Sequence, residues 1–334
     1  MSTQRVKLAD GSWQYMDLLY KSPGLGVVAS TLADLADEGH PIVVGTADLK
    51  YSNGLFKFEE RHPDRFVQFG ISEQNMVTAA AGIATVGFKP YVATFASFIA
   101  LLCCEHIRTD IAYTAQPVRL LGTHSGIVFG FYGTSHHATE DLAIMRSIAD
   151  LNVVCPSDPW QTAAMLRATV DLDEPIYIRL GRGREPAIYG PDAEFVLGRA
   201  IAHGTGEDLT IIATGSMVHP SLEAAEALRS KGVSVGVLDM HTIKPIDRIA
   251  ILKAAACSRA LMSVEEHNIL GGLGGAVAEI LTEKGTPVPL YRHGIKDTYA
   301  LIAPPTHLYE HYRLDGKGIA DEATEFLARL EQQG

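Results

Sequence analysis

A chain of 334 residues with 47% hydrophobic composition is ordinary for a globular protein and long enough for two domains. Its 28 lysines and arginines stand against 39 aspartates and glutamates, a formal charge of −11, and no basic run marks a nucleic-acid surface. No apolar stretch is long enough to span a bilayer and the first residues lack a signal-peptide core, so the expectation is a cytoplasmic protein that binds neither membrane nor nucleic acid.

In chain order, the hydrophobic pattern predicts helix 24–38, strands 41–45 and 66–69, helix 72–86, strand 91–94, helix 98–114 and strand 118–122. Helix 139–148, strand 153–156, helix 159–172 and strand 176–180 follow. Such alternation argues for a parallel sheet covered by helices on both faces, with ligands at the loops beyond the strand C-termini. A connector, 183–206, carries Pro186, Gly190, Pro191, Gly204 and Gly206. A second α/β pattern then begins, with strands at 209–213, 233–239, 260–264 and 287–291 and helices at 220–231, 249–256, 274–283 and 321–332. The expected fold class is therefore two three-layer α/β domains: a first domain over 1–185, a linker over 186–206 and a smaller second domain over 207–334.

The four cysteines, Cys103, Cys104, Cys155 and Cys257, lack zinc-knuckle or CxxC spacing and read as reduced structural thiols. The glycines Gly271, Gly272, Gly274 and Gly275 follow an apolar strand. A G-x-G-x-x-G starting at Gly272 would need glycine where Val277 stands, so they read as tight strand-to-helix packing.

The most informative stretch is Phe69-Gly70-Ile71-Ser72-Glu73-Gln74-Asn75-Met76. An apolar run ends in glycine, Ser72 suits an N-cap, and Glu73 opens a helix whose apolar positions include Met76, Val77, Ala80, Ile83 and Ala84. A carboxylate there complements the helix dipole or takes part in chemistry. About twenty residues later comes Thr94-Phe95-Ala96-Ser97-Phe98. Together these motifs resemble the pyrimidine-binding domain of transketolases, which are thiamine-diphosphate enzymes. Val264-Glu265-Glu266-His267, with the glycines after it, resembles the mainly structural C-terminal domain of the same family. The resemblance runs from about Ala47 to Arg292.

That resemblance implies a set of roles. Glu73 matches the glutamate that hydrogen-bonds the cofactor's aminopyrimidine and drives it to the imino tautomer, whose exocyclic nitrogen removes the thiazolium C2 proton. Burial would favour the protonated form of such a carboxyl and the helix N-terminus the ionised one. Phe95 and Phe98 match the aromatic pocket of the pyrimidine, or are core phenylalanines. Three residues on, many transketolases carry another aromatic or a basic residue, where this chain has Leu101; the helix before Arg108 also reads one residue longer than usual. Asp48, in Ala47-Asp48-Leu49-Lys50-Tyr51-Ser52-Asn53, matches a position at the cofactor and substrate channel, and Ser52 a contact to sugar phosphate; both residue types also favour turns.

His124 and His136 match two substrate-facing histidines, His136 with a catalytic role; His137 replaces His136 if the loop shifts. Arg182 matches a phosphate-gripping arginine, with Arg179 and Arg184 as alternatives, since a guanidinium holds phosphate by paired hydrogen bonds. Two departures stand out. Tyr132 occupies the place of an aspartate that reads a sugar hydroxyl, and the region Pro23 to Val27 lacks an arginine that helps to bind phosphate. Both suggest substrates unlike the usual pentose and hexose phosphates.

Thiamine-diphosphate enzymes hold Mg²⁺ and diphosphate through a Gly-Asp-Gly motif, and this chain has none. The implied reading is the C-terminal subunit of a split transketolase, moving a two-carbon ketol unit from a ketose to an aldose. A partner N-terminal subunit would carry Gly-Asp-Gly and the Mg²⁺ ligands, in an α₂β₂ assembly that uses small sugar substrates. Alternatives are a deoxyxylulose-phosphate-synthase-like enzyme, the β subunit of a 2-oxo acid dehydrogenase, or a non-catalytic scaffold; retention of Glu73 with both phenylalanines argues against the last.

Overall fold

The structure, a computed structural model, describes residues 3–7, 13–17 and 24–332. They divide into two compact units. The first comprises the chain up to Ser125 with Ile144–Leu197, and the second Gly126–Ala143 with the chain from Gly198 onward.

In the first unit, β1 (Thr3–Lys7) and β2 (Trp13–Asp17) form an antiparallel pair. The main strands are β3 (Ile42–Thr46), β4 (Phe66–Gln68), β5 (Lys89–Phe95), β6 (Arg119–Thr123), β7 (Asn152–Val154) and β8 (Ile176–Arg179). Within this unit they lie in the order β7-β8-β6-β5-β3-β4, every pair parallel. Every residue of β6 and β8 is buried, as expected of a parallel sheet covered on both faces. The helices are α1 (Gly26–Asp37), α2 (Phe56–Arg61), α3 (Glu73–Thr85), α4 (Ala96–Leu102), α5 (Cys104–His106), α6 (Asp141–Ser147), which runs across the boundary of the units, and α7 (Pro159–Thr169). The core joins α1 to the sheet through Val28, Leu32, Ile42, Val44, Tyr91, Leu121 and Ile178.

The chain leaves β3 for the edge strand β4, then jumps back over β3 to β5. The order therefore reverses at the β3/β5 crevice, the place where open α/β sheets bind ligands. At the opposite end of the sheet, the fully buried Arg119 donates to the carbonyls of Pro117 (2.7 Å), Thr169 (2.6 Å) and Leu172 (2.6 Å). It thereby satisfies carbonyls that the end of α7 leaves open.

In the second unit, β9 (Ile201–His203), β10 (Leu209–Ala213), β11 (Val235–Asp239), β13 (Ala260–Asn268) and β14 (Leu290–Ile295) lie in the order β14-β13-β10-β11-β9, and β12 (Thr242–Lys244) is a further short strand. Only β9 runs antiparallel in that order. The helices are α8 (Val218–Arg229), α9 (Arg248–Cys257), α10 (Leu273–Lys284), α11 (Pro305–His311) and α12 (Gly316–Glu331). A Cβ on Gly272 would come within 2.0 Å of Glu265 Oε2, so the glycine run is close strand-to-helix packing. Glu265 accepts the backbone N–H groups of Leu273 (2.7 Å) and Gly274 (2.8 Å) at the start of α10. Its neighbour Glu266 accepts from Ile127 N (2.7 Å), Ser216 Oγ (2.7 Å) and Tyr309 OH (2.8 Å). Both carboxylates thus serve the structure of this unit.

Three expected elements are corrected. Helix 98–114 is interrupted: α4 ends at Leu102, and after α5 the chain winds as a π-helix, Ile107–Ala112. A π-turn absorbs one extra residue, which suits a segment one residue longer than usual. Strand 287–291 moves to β14, whose register against β13 begins at Leu261↔Leu290; Pro287 and Pro289 have no N–H for the ladder. The last helix starts at Gly316 and not near 321, with the Asp315 carboxylate accepting from Gly318 N at 2.9 Å. The connector also hides β9, and the sequence pattern gives no sign of β1, β2, β12, α2 and α11.

Candidate functional site

Four of the sequence-predicted residues gather at the β3/β5 crevice and the neighbouring end of β6. Phe95 closes β5, Phe98 lies in the first turns of α4, and their ring centroids are 5.5 Å apart. His124 follows β6, and its ring meets Phe95 edge-on at 4.9 Å. Phe95 and His124 are buried, while Phe98 is half-buried. Asp48 follows β3, is exposed, and donates its N–H to Gln68 Oε1 at 2.6 Å. Asp48 and His124 both sit at positive φ, 60° and 55°. Left-handed backbone at non-glycine residues costs energy and clusters at functional sites. Ser52 is exposed on the loop after β3.

That loop is anchored by a buried chain of side chains. Thr46 Oγ1 donates to the Ala93 carbonyl at 2.8 Å, and Asn53 Nδ2 reaches Thr46 Oγ1 at 3.2 Å. Thr123 Oγ1 donates to Asn53 Oδ1 at 2.8 Å and lies 3.1 Å from His124 Nδ1. The ends of β3, β5 and β6 are thus joined by hydrogen bonds beneath the crevice. The sequence shows Asn53 only as part of the motif that carries Asp48 and Ser52, and gives Thr123 no role. Their hydrogen bonds cross strands distant in sequence, and no local pattern signals them.

Glu73 opens α3 one strand further on. Gly70, at φ 68°, makes the turn, and Ser72 sits at the N-cap position. The Ser72 hydroxyl donates back to the Phe69 carbonyl at 2.7 Å and caps no N–H, which corrects its expected capping bond. The Glu73 carboxylate is half-buried and, among the described residues, takes part in no hydrogen bond or ion pair. Behind it lies Cys103, whose thiol is pushed up to about 12 by burial and then by the charge of Glu73. Gln74 Nε2 donates to the Leu102 carbonyl at 3.0 Å, tying the start of α3 to the end of α4.

Arg182 lies after β8, half-buried, with its N–H on Glu185 Oε1 at 2.9 Å. Gly183, at φ 72°, makes the turn; a Cβ there would lie 2.1 Å from Leu25 N. Arg179 is buried in β8 itself and Arg184 is exposed. Burial, then the charges of Arg182 and Arg184, lower His124 to about 3, so it is neutral at physiological pH.

His136 belongs to the second unit, in the excursion 126–143. Its ring packs against Phe129 (5.2 Å) and Tyr132 (4.9 Å), and burial lowers its pKa. Tyr132, in place of an acidic residue, makes this segment an aromatic cluster. His137 is buried.

As to the cofactor, the half-buried Phe98, the Phe95 ring and the unengaged carboxylate of Glu73 suit a flat heterocycle with a nitrogen to share. Among the described residues, no group of three or more His, Cys, Asp or Glu side chains is placed to hold a metal ion. None of the described helices is long and apolar enough to cross a membrane.

The two units thus define a protein with two mostly parallel α/β sheets and a switch-point crevice in the first. Residues 26–186 match the transketolase pyrimidine-binding domain and 198–319 the transketolase C-terminal domain, so the chain belongs to the transketolase family. It is 40% identical over 300 residues to a subunit of the apulose-4-phosphate transketolase of Phocaeicola vulgatus, covering 90% of this chain and 96% of that one. It is 36% identical over 298 residues to the 6-deoxy-6-sulfo-D-fructose transketolase subunit SqwH of a Clostridium species, covering 89% and 92%. A solved structure described as a split gene transketolase, inactive beta4 tetramer, superposes with a TM-score of 0.82 at 38% identity, covering 90% of this chain and 97% of that one.

Proposed function

We propose that this chain is the C-terminal (β) subunit of a heteromeric transketolase that moves a two-carbon ketol unit from a ketose to an aldose. The observation that carries this reading is the half-buried carboxylate of Glu73 at the start of α3, beside a switch-point crevice walled by Phe95 and Phe98. Relatives of nearly the same length that are named as subunits support it.

The cofactor is thiamine diphosphate, which when bound supplies a thiazolium carbon able to take up and release the ketol unit. Glu73 holds the aminopyrimidine ring and exchanges a proton at its ring nitrogen. Phe95 and Phe98 would hold the ring, with Asp48 at the cofactor and substrate channel. Ser52, His124 and His136 meet sugar oxygens, His136 with a catalytic role, and Arg182 grips a terminal anion. The names of the two relatives include a phosphate and a sulfo group, and a guanidinium serves either. Mg²⁺ and its Gly-Asp-Gly ligands belong to a partner N-terminal subunit, in a cytoplasmic α₂β₂ assembly. The test is co-expression with a reading frame that carries Gly-Asp-Gly. Ketol transfer between sugars by the pair is the expected result. Pyruvate decarboxylation or condensation in its place, or no turnover with any partner, would overturn the reading.

A further inference from the structure

The loop after β3 carries Asp48 and Ser52, both exposed, between the buried residues Ala47 and Asn53. Little of the loop is packed, so its course is set at its two ends. Thr46, the last residue of β3, stands at one end and Asn53 at the other. A backbone carbonyl can only accept, so Thr46 spends its hydroxyl proton on Ala93 O. Its oxygen is left to accept, and it takes Asn53 Nδ2 at 3.2 Å. The amide is thereby oriented, with its NH₂ group on Thr46 and its Oδ1 accepting from Thr123 at 2.8 Å. An aspartate would set an oxygen where Thr46 meets a donor, and a leucine would leave both threonines unmet. Burying an amide costs more than burying a hydrocarbon unless its bonds are made, so packing alone does not ask for asparagine here.

We infer that Asn53 is a positioning residue: its amide clasps Thr46 across the base of loop 47–52 and so sets the places of Asp48 and Ser52 beside the crevice. The backbone follows the same closure, with Asn53 N on Leu49 O at 2.8 Å and Leu55 N on Lys50 O at 2.7 Å. Asp48 keeps a left-handed φ of 60°, a costly conformation that persists only where the surroundings over-determine it.

The test compares Thr46→Val and Asn53→Asp with Thr46→Ser. Valine keeps the shape of Thr46 without the acceptor, aspartate exchanges the donor of Asn53 for an oxygen, and serine keeps the hydroxyl. Hydrogen exchange of the full chain, read by mass spectrometry, is expected to quicken about tenfold at the amides of Asn53 and Leu55 in the first two variants, the worth of one hydrogen bond. The amides of β5 and β6 should keep their rates, and Thr46→Ser should behave as wild type. Unchanged loop exchange, or equal quickening in β5 and β6, would overturn the inference whatever the enzyme does. In the reconstituted enzyme, Thr46→Val is expected to raise KM for the ketose about tenfold with a smaller change in kcat. Added to Ser52→Ala it should cost little more, because both changes act through one loop. Fully additive losses would overturn the positioning role. The kinetic half rests on the proposed function and the exchange half does not: a loosened loop in a protein that transfers no ketol unit with any partner would overturn that function, while the exchange upholds the clasp.

Discussion

At the scale of single residues, two side chains carry the most weight. Glu73 has a half-buried carboxylate with no protein partner among the described residues, at the first turn of a helix. Glu73→Gln keeps the shape and the hydrogen bond but cannot exchange a proton. The fold should persist while steady-state ketol transfer by the reconstituted enzyme falls by about 10²–10⁴-fold, the usual worth of proton-transfer catalysis. A loss of less than about tenfold would remove Glu73 from that role. Arg182 lies on a strand-end loop, and its charge reaches His124. Arg182→Ala should cost about 1.5–3 kcal/mol in kcat/KM for a substrate with an anionic terminus, and far less for its neutral counterpart. Equal losses for the two substrates would make the arginine structural. The strand-end positions of both residues were legible in the sequence because each sits in a short motif. Asn53 and Thr123 were not, because their roles depend on which strands the topology sets side by side.

At the scale of elements, boundaries follow from the groups that satisfy helix ends. Asp158 caps α7 through Gln161 N at 2.7 Å, and its other oxygen accepts Ile188 N and Tyr189 N, each at 2.8 Å. The far end of α7 is closed by Arg119, whose guanidinium reaches the carbonyls of Thr169 and Leu172 from the buried start of β6. Arg119→Met fills the same space but leaves those carbonyls without a donor. Loss of stability of about 2–4 kcal/mol is expected in a urea titration, from unsatisfied buried acceptors. A change under about 0.5 kcal/mol would show that the carbonyls find other partners. The sequence pattern placed the central strands well, because continuous apolar runs are what a sheet buried on both faces demands. It failed where one residue too many was taken up as a π-helix at Ile107–Ala112, and where the antiparallel edge strand β9 is only three residues long.

At the scale of the whole molecule, acid should destabilise both units through neutral buried histidines. His124 in the first unit titrates at about 3 and His241 in the second at about 4, chiefly because of burial, against an ordinary 6.5. Between pH 6.5 and those values, the unfolded chain holds a proton at each site that the folded chain does not. Stability therefore falls as pH falls through this window, by up to about 1.4 kcal/mol per pH unit for each histidine, and neither contributes above it. His241→Gln removes one such group. The loss of stability between pH 7 and 5, measured by urea unfolding, should be about 1–2 kcal/mol smaller in the variant than in wild type. Equal losses would mean that His241 takes up its proton in the folded state.

One chain alone is expected to be catalytically incomplete. On the proposed reading the first unit supplies groups for a heterocycle and a sugar, and the Gly-Asp-Gly motif that meets the diphosphate and its metal is carried by a second polypeptide. Half of the expected cofactor contacts are thus assigned to a partner, and joining two subunits across a cofactor buries a large surface. The isolated chain is therefore expected to bind thiamine diphosphate poorly at any Mg²⁺ concentration and to show no ketol transfer. Calorimetric titration of the purified chain, with and without the partner, is the measurement. Adding the partner should bring cofactor affinity and turnover together, because one interface creates both. Micromolar cofactor affinity in the chain alone, or ketol transfer without a second polypeptide, would show that its own residues complete the site.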